Sequence, residues 1–165
     1  MRRKSVTAAQ LTAGLMESPE YQARIALRED QLRALAATFQ QEDDAIATEA
    51  AQVGYVISSV WDFVNNTPHA FLPRPFTGPY ERAYPILVRH LRLPHHQRVR
   101  EGIIRALTVK DGGSLVADAL LAEFVSEKDP SLRWVLANAL KQAMPLKERR
   151  KHPEIALVYQ RSDAP

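Results

Sequence analysis

A pattern that recurs at a spacing of 33 residues leaves this chain little choice of fold. The segment VREGIIRAL, residues 99–107, falls on LRWVLANAL, residues 132–140. Arg100 then meets Arg133, Ala106 meets Ala139 and Leu107 meets Leu140, while Val99 and Ile103 meet Leu132 and Leu136. The same offset carries Leu87, Val88 and Leu91 onto Leu120, Leu121 and Phe124. Apolar residues three and four apart mark helices, so what repeats is a pair of helices. The spacing predicts antiparallel hairpins of Tyr80–Leu93 with Gln97–Val109 and of Ser114–Lys128 with Ser131–Met144. Short joints separate them: Leu93-Pro94-His95-His96, Asp129-Pro130, and Asp111-Gly112-Gly113 between the units. A single hairpin cannot bury its apolar side alone, so the two units are expected to stack.

The residues before Pro79 do not share this repeat. Residues 1–6 are polar and basic and are expected to fray, and a short helix is expected over Thr7–Glu17. Ser18 can cap a second helix with Pro19 in its first position. Tyr21, Ile25, Leu32, Leu35 and Phe39 form its apolar stripe, with the Arg28 stem lying along it, and it is expected to end near Glu42, Asp43 and Asp44. A further helix, Ala45–Val53, stops at Gly54, which can take a left-handed conformation. Ser59 and Asp62 form a capping-box pair for a short helix that buries Val60, Trp61, Phe63 and Val64. From Pro68 to Pro79, four prolines and one glycine preclude a regular helix. Phe71, Leu72 and Phe76 are expected to anchor this linker to the core. The chain is thus read as all-α: a flexible N-terminus (1–6), a helical cap (7–67), a packed proline-rich linker (68–79) and stacked helical hairpins (80–165), with cap and repeats forming one compact unit.

The repeat region resembles the HEAT-repeat family, including bacterial proteins with short HEAT-like arrays. The resemblance rests on Pro85 in the first helix, the Asp129-Pro130 corner, and an aliphatic residue followed by arginine in each second helix (Val99-Arg100 and Leu132-Arg133). It covers residues 80–144, with a partial third unit expected from Leu146. It implies an α-solenoid in which residues 1–67 cap one end. It also implies structural roles for Arg100 and Arg133, bonding corner carboxylates and backbone carbonyls, and for Asp129.

In such arrays the second helices line a concave face that receives partners. With Val99, Ile103, Ala106 and Leu107 turned to the core, Arg98, Glu101, Arg105 and Thr108 face outward. Their equivalents are Ser131, Trp134, Asn138 and Lys141. Tryptophan beside arginine, asparagine and lysine has the composition of an interaction hot spot. Glu101, Arg105, Trp134, Asn138 and Lys141 are therefore the candidate protein-binding residues, unless Trp134 packs as core. A second reading takes Arg89, Arg92 and Arg98 as phosphate contacts. The resemblance extends to HEAT-like DNA glycosylases, which pair a tryptophan with a carboxylate; here Trp134 with Glu101 or Asp129 is the corresponding pair.

Other chemistry has little support. The chain has no cysteine, which removes disulfides, thiolate metal sites and a cysteine nucleophile, and fits a reducing cytoplasm. His90, His95 and His96 have no neighbouring carboxylate in sequence, so no metal site is assigned. Neither a Gly-x-Ser-x-Gly elbow nor a glycine-rich phosphate loop occurs, and no enzyme activity or cofactor is expected. No uncharged apolar run is long enough to span a bilayer, and no secretory signal is recognised. Residues 1–54 hold six basic and eight acidic side chains against sixteen and eleven in residues 55–165, too small a surplus to name a partner. The basic run Lys147, Arg149, Arg150 and Lys151 reads as a solvated helix turn.

Overall fold

A computed structural model of the chain describes residues 18–68 and 74–159. The expectations for residues 1–6 and Thr7–Glu17, and the anchors Phe71 and Leu72, lie outside these. So does the side chain of Leu32. Among the described residues all regular structure is helical: α1 (Pro19–Gln52), α2 (Trp61–Val64), a 3-10 turn (Glu81–Ala83), α3 (Tyr84–Leu91), α4 (Gln97–Ala106), α5 (Gly113–Ser126), α6 (Pro130–Ala143), α7 (Leu146–Arg149) and α8 (Pro153–Leu157). None of these helices is long and apolar enough to cross a membrane.

The chain divides into two compact units, Met1–Gln40 and Gln41–Pro165. In the first, Ser18 begins the helix as expected, its Oγ accepting a long 3.4 Å bond from the Tyr21 amide. Alanine, leucine, glutamine, glutamate and arginine dominate the helix and favour it locally. The expected burial of its stripe is not found. Tyr21, Ile25 and Phe39 are half-buried, Leu35 is exposed, and Arg28 stands in solvent.

In the second unit the first correction concerns Glu42, Asp43 and Asp44, where a helix end was expected; α1 runs through them to Gln52. No glycine or proline interrupts the stretch, and the Glu42 and Asp43 side chains are used in tertiary contacts instead. Asp43 is buried, accepting from Ser59 Oγ at 3.0 Å and from the Val60 amide at 2.8 Å. Burial raises its pKa despite these bonds. The helix ends at Gly54 (φ 93°), where Tyr55 N donates to Ala50 O and Gly54 N to Ala51 O, the paired bonds of a left-handed glycine terminus. Asp62 accepts from the Ser58 and Ser59 amides, but the reciprocal half of the expected capping box is absent: Ser59 Oγ donates to Asp43, and the Asp62 amide bonds the Ser59 carbonyl.

An aromatic cluster then fixes the entry to the repeats. Phe63 stacks on Tyr80 at 4.8 Å between ring centroids, and Phe76 meets Tyr55, Phe63 and Tyr80 edge-on. The first hairpin helix begins at Tyr84, not Tyr80, because Pro85 suits a first helical turn and not an interior. Tyr80 and Tyr84 donate to Ala106 O and Asp111 Oδ1, tying the start of α3 to the end of α4. Burial pushes the Tyr80 phenol up to about 12.

The helices α3/α4 and α5/α6 form two hairpins, and α3 packs on α5 while α4 packs on α6. Leu87, Leu91, Ile103, Leu107, Leu120 and Leu136 are completely or almost completely buried. Beyond α6 the expected third unit is only two short helices, α7 and α8, both packed on α6.

The opposite flank of α4 carries α2. A Cβ at Gly102 would lie 2.5 Å from Val60 Cγ1 and 2.9 Å from Trp61 Nε1, so only glycine permits this approach. Val60 is buried and stiff at χ1, leaving no easy relief. Gly102→Ala is therefore expected to cost about 1–3 kcal/mol of stability, through overpacking that outweighs alanine's better helix propensity. Chemical denaturation would measure it; an unchanged or raised midpoint would contradict the packing described.

Candidate functional site

The outward residues of α4 and α6 lie on two helices in direct contact. Glu101 pairs with Arg105 one turn on, at 2.7 Å. Trp134 is half-buried, neither free nor wholly core, and its carbonyl accepts from Asn138 Nδ2 at 3.2 Å. The lower end of this face is engaged by the chain itself, which the outward positions alone did not disclose. Tyr159 OH donates to Asn138 Oδ1 at 3.2 Å, the Lys141 ammonium lies 4.5 Å from the Tyr159 ring centroid, and Arg149 donates to Lys141 O at 2.6 Å. Glu101, Arg105 and Trp134 keep no such external partner among the described residues.

The three arginines named as phosphate contacts are unequally available. Arg89 is ion-paired with Glu49, and the Arg98 guanidinium lies 4.1 Å from the centroid of the Trp61 ring, whose indole N–H donates to Arg98 O. Arg92 is exposed. Arg100 and Arg133 sit between elements. Arg100 reaches Glu123 at 2.7 Å and Glu127 at 3.0 Å, joining α4 to α5 of the second hairpin and the turn after it. Arg133 donates to the carbonyls of Phe124 and Glu127 and covers the Phe124 ring at 4.2 Å. Asp129 caps α6, its Oδ1 accepting from the Leu132 amide at 2.9 Å.

Sequence reasoning missed a polar chain that crosses three elements. Glu42 accepts from His95 Nδ1 at 2.9 Å and from the His96 amide at 2.8 Å. His95 Nε2 lies 3.1 Å from His90 Nδ1, and His90 Nε2 lies 3.2 Å from Glu49 Oε2. The two imidazole side chains are about nineteen-twentieths buried and stacked. The histidines thus have the carboxylates that sequence proximity denied them, brought in by α1. Seven residues separate Glu42 from Glu49, two helical turns, so a continuous helix places both on one face. That signal was available only once α1 was known not to stop between them.

Proton arithmetic defines this chain. Two neutral imidazoles carry two N–H groups for three gaps. One of the three gaps therefore lacks a proton while both rings are neutral, and Arg89, on the same Glu49 oxygen that faces His90 Nε2, supplies positive charge there. Burial, then the neighbouring His95 and Arg89, lower the pKa of His90 from 6.5 to about 4. Among the described residues no group of three or more His, Cys, Asp or Glu side chains is arranged to hold a metal ion.

A depressed histidine pKa makes folding favour the neutral ring. The stability it supports is complete above the unfolded-state value of 6.5 and is lost progressively as pH falls towards about 4. At 1.36 kcal/mol per unit the loss is on the order of 3 kcal/mol. Denaturation midpoints at pH 7 and pH 4 should therefore converge by that amount when wild type is compared with His90→Gln. Differencing removes Asp43, whose raised pKa acts in the opposite sense. Parallel pH profiles for the two proteins would refute this assignment. No known protein family, curated protein or solved structure matches this chain, so what it does is read from its own geometry.

Proposed function

We propose that the chain is a non-enzymatic, protein-binding scaffold, a short HEAT-like α-solenoid that takes its partner on the face of α4 and α6. The observation carrying this reading is the contact between α4, which bears Glu101 and Arg105, and α6, which bears the half-exposed Trp134. The stacking of α3 on α5 and α4 on α6 supports the solenoid reading, because side-by-side nesting of equivalent helices is how such arrays build a continuous surface. The pinned Asn138 and Lys141 supply a rigid border to that surface. A partly buried tryptophan has less side-chain freedom to lose than a fully exposed one and is suited to anchoring a partner side chain.

The nucleic-acid reading draws less support. Arg89 and Arg98 are both committed within the chain, leaving Arg92 alone of the three proposed phosphate contacts.

Affinity capture with wild type and with Trp134→Ala combined with Arg105→Ala tests the proposal. A partner held through this face should bind at least about 30-fold more weakly to the double variant, the loss expected of a hot spot near 2 kcal/mol. Its far-UV circular dichroism should be unchanged. Equal capture by both proteins, or loss only where helicity is also lost, would remove the face from consideration. Retention of wild type on duplex DNA, released by salt and dependent on Arg92, would favour the second reading instead.

A further inference from the structure

Lys147, Arg150 and Lys151 of the basic run are exposed, as in a solvated turn, and Arg149 and Arg150 also line a cavity. α7 and α8 fold against α6 around this cavity of about 360 Å³, within the range of small-molecule sites. Its apolar walls are Leu146, Pro153, Ile155 and Ala156, with Tyr159 beside them. Lys141, Arg149 and Arg150 also line it, with His152, and no carboxylate does among the described residues. Of the two nearest acidic side chains in sequence, Glu148 pairs with Lys151 outside the lining at 2.6 Å, and Glu154 lies 3.2 Å from the lining residue His152.

Two of the three permanent cations are held in place. Arg149 is fixed by its bond to Lys141 O, and Lys141 by the Tyr159 ring, whose hydroxyl is anchored on Asn138. Burial pushes the Tyr159 phenol up to about 12, with Arg149 opposing the shift, so it is a neutral donor at ordinary pH. Arg150 is exposed and pairs with no carboxylate among the described residues. Cations of one sign on low-dielectric walls focus the field and concentrate anions. An apolar interior adds a preference for an anion with a hydrocarbon body, and arginine's planar fork matches a carboxylate head.

We infer that this cavity is a binding site for a small amphipathic carboxylate, its apolar body against Leu146, Ile155 and Ala156 and its head among Lys141, Arg149 and Arg150. The site does not require that the α4/α6 face bind a protein; the two share only Lys141, which the test leaves untouched.

The probe is octanoate, titrated into the full chain with methyl NMR read at Leu146 and Ile155. Octan-1-ol tests the apolar wall without the charge, and inorganic phosphate tests the charge without the wall. Arg150→Gln removes an exposed cation, and Ala156→Trp fills the cavity from an exposed position, so neither threatens the fold. The inference expects saturable octanoate binding at least tenfold tighter than that of octan-1-ol or phosphate. It expects binding to weaken at least fivefold in Arg150→Gln and to be lost in Ala156→Trp. Absence of saturable octanoate binding, equal affinity for octan-1-ol or phosphate, or octanoate affinity unchanged in either variant would each overturn it.

Discussion

The apolar seam between the two helical hairpins is the constraint on which the described structure depends. α3 and α4 are short, and a lone hairpin leaves one side open, yet Leu87, Leu91, Ile103 and Leu107 are buried. Placing α3 on α5 and α4 on α6 removes those side chains from water together with Leu120 and Leu136. Hydrophobic burial is non-directional, so it does not select one stacking register. A directional contact does cross the seam, Arg100 reaching Glu123 and Glu127, while Arg133 binds the carbonyls where α5 ends within the second hairpin. Partly buried ion pairs often add little net stability, and setting register is the role in which they are best attested.

Everything proposed about function follows from the position of the second helices. Because α4 and α6 touch, helices 33 residues apart in sequence become neighbours, and the face proposed for Glu101, Arg105 and Trp134 spans both. The same helices are bordered by α2 at Gly102 and by α7 and α8 along α6. α7 and α8, with Lys141 of α6, line the basic cavity. The buried chain of Glu42, His95, His90 and Glu49 attaches the end of α1 to the first hairpin and makes that attachment sensitive to acid.

The hairpins were legible in the sequence because each is specified by local periodicity repeated in register. Their helices begin or end within a few residues of the expected places, Pro85 accounting for the late start of α3. Contacts distant in sequence were not legible. Asp43 was read as part of a helix end, since an acidic triplet carries no local sign that Ser59 and Val60 will bond to it. That reading broke the helical register between Glu42 and Glu49 and hid the histidine chain. The candidate face was found by residue type and spacing, but the docking of Tyr159 on Asn138 and Lys141 depends on the fold of α7 and α8. Nothing in the local pattern of a basic run announces that it encloses a cavity.

Native-state hydrogen exchange tests the central claim, that two hairpins share one core, most directly. Amides in the middle of α3, α4, α5 and α6 should exchange through a common opening, with one free energy and one denaturant dependence. If α3 and α4 opened at markedly lower free energy while α5 and α6 stayed protected, the hairpins would be separate folding units. The shared surface of α4 and α6 would then have no structural basis.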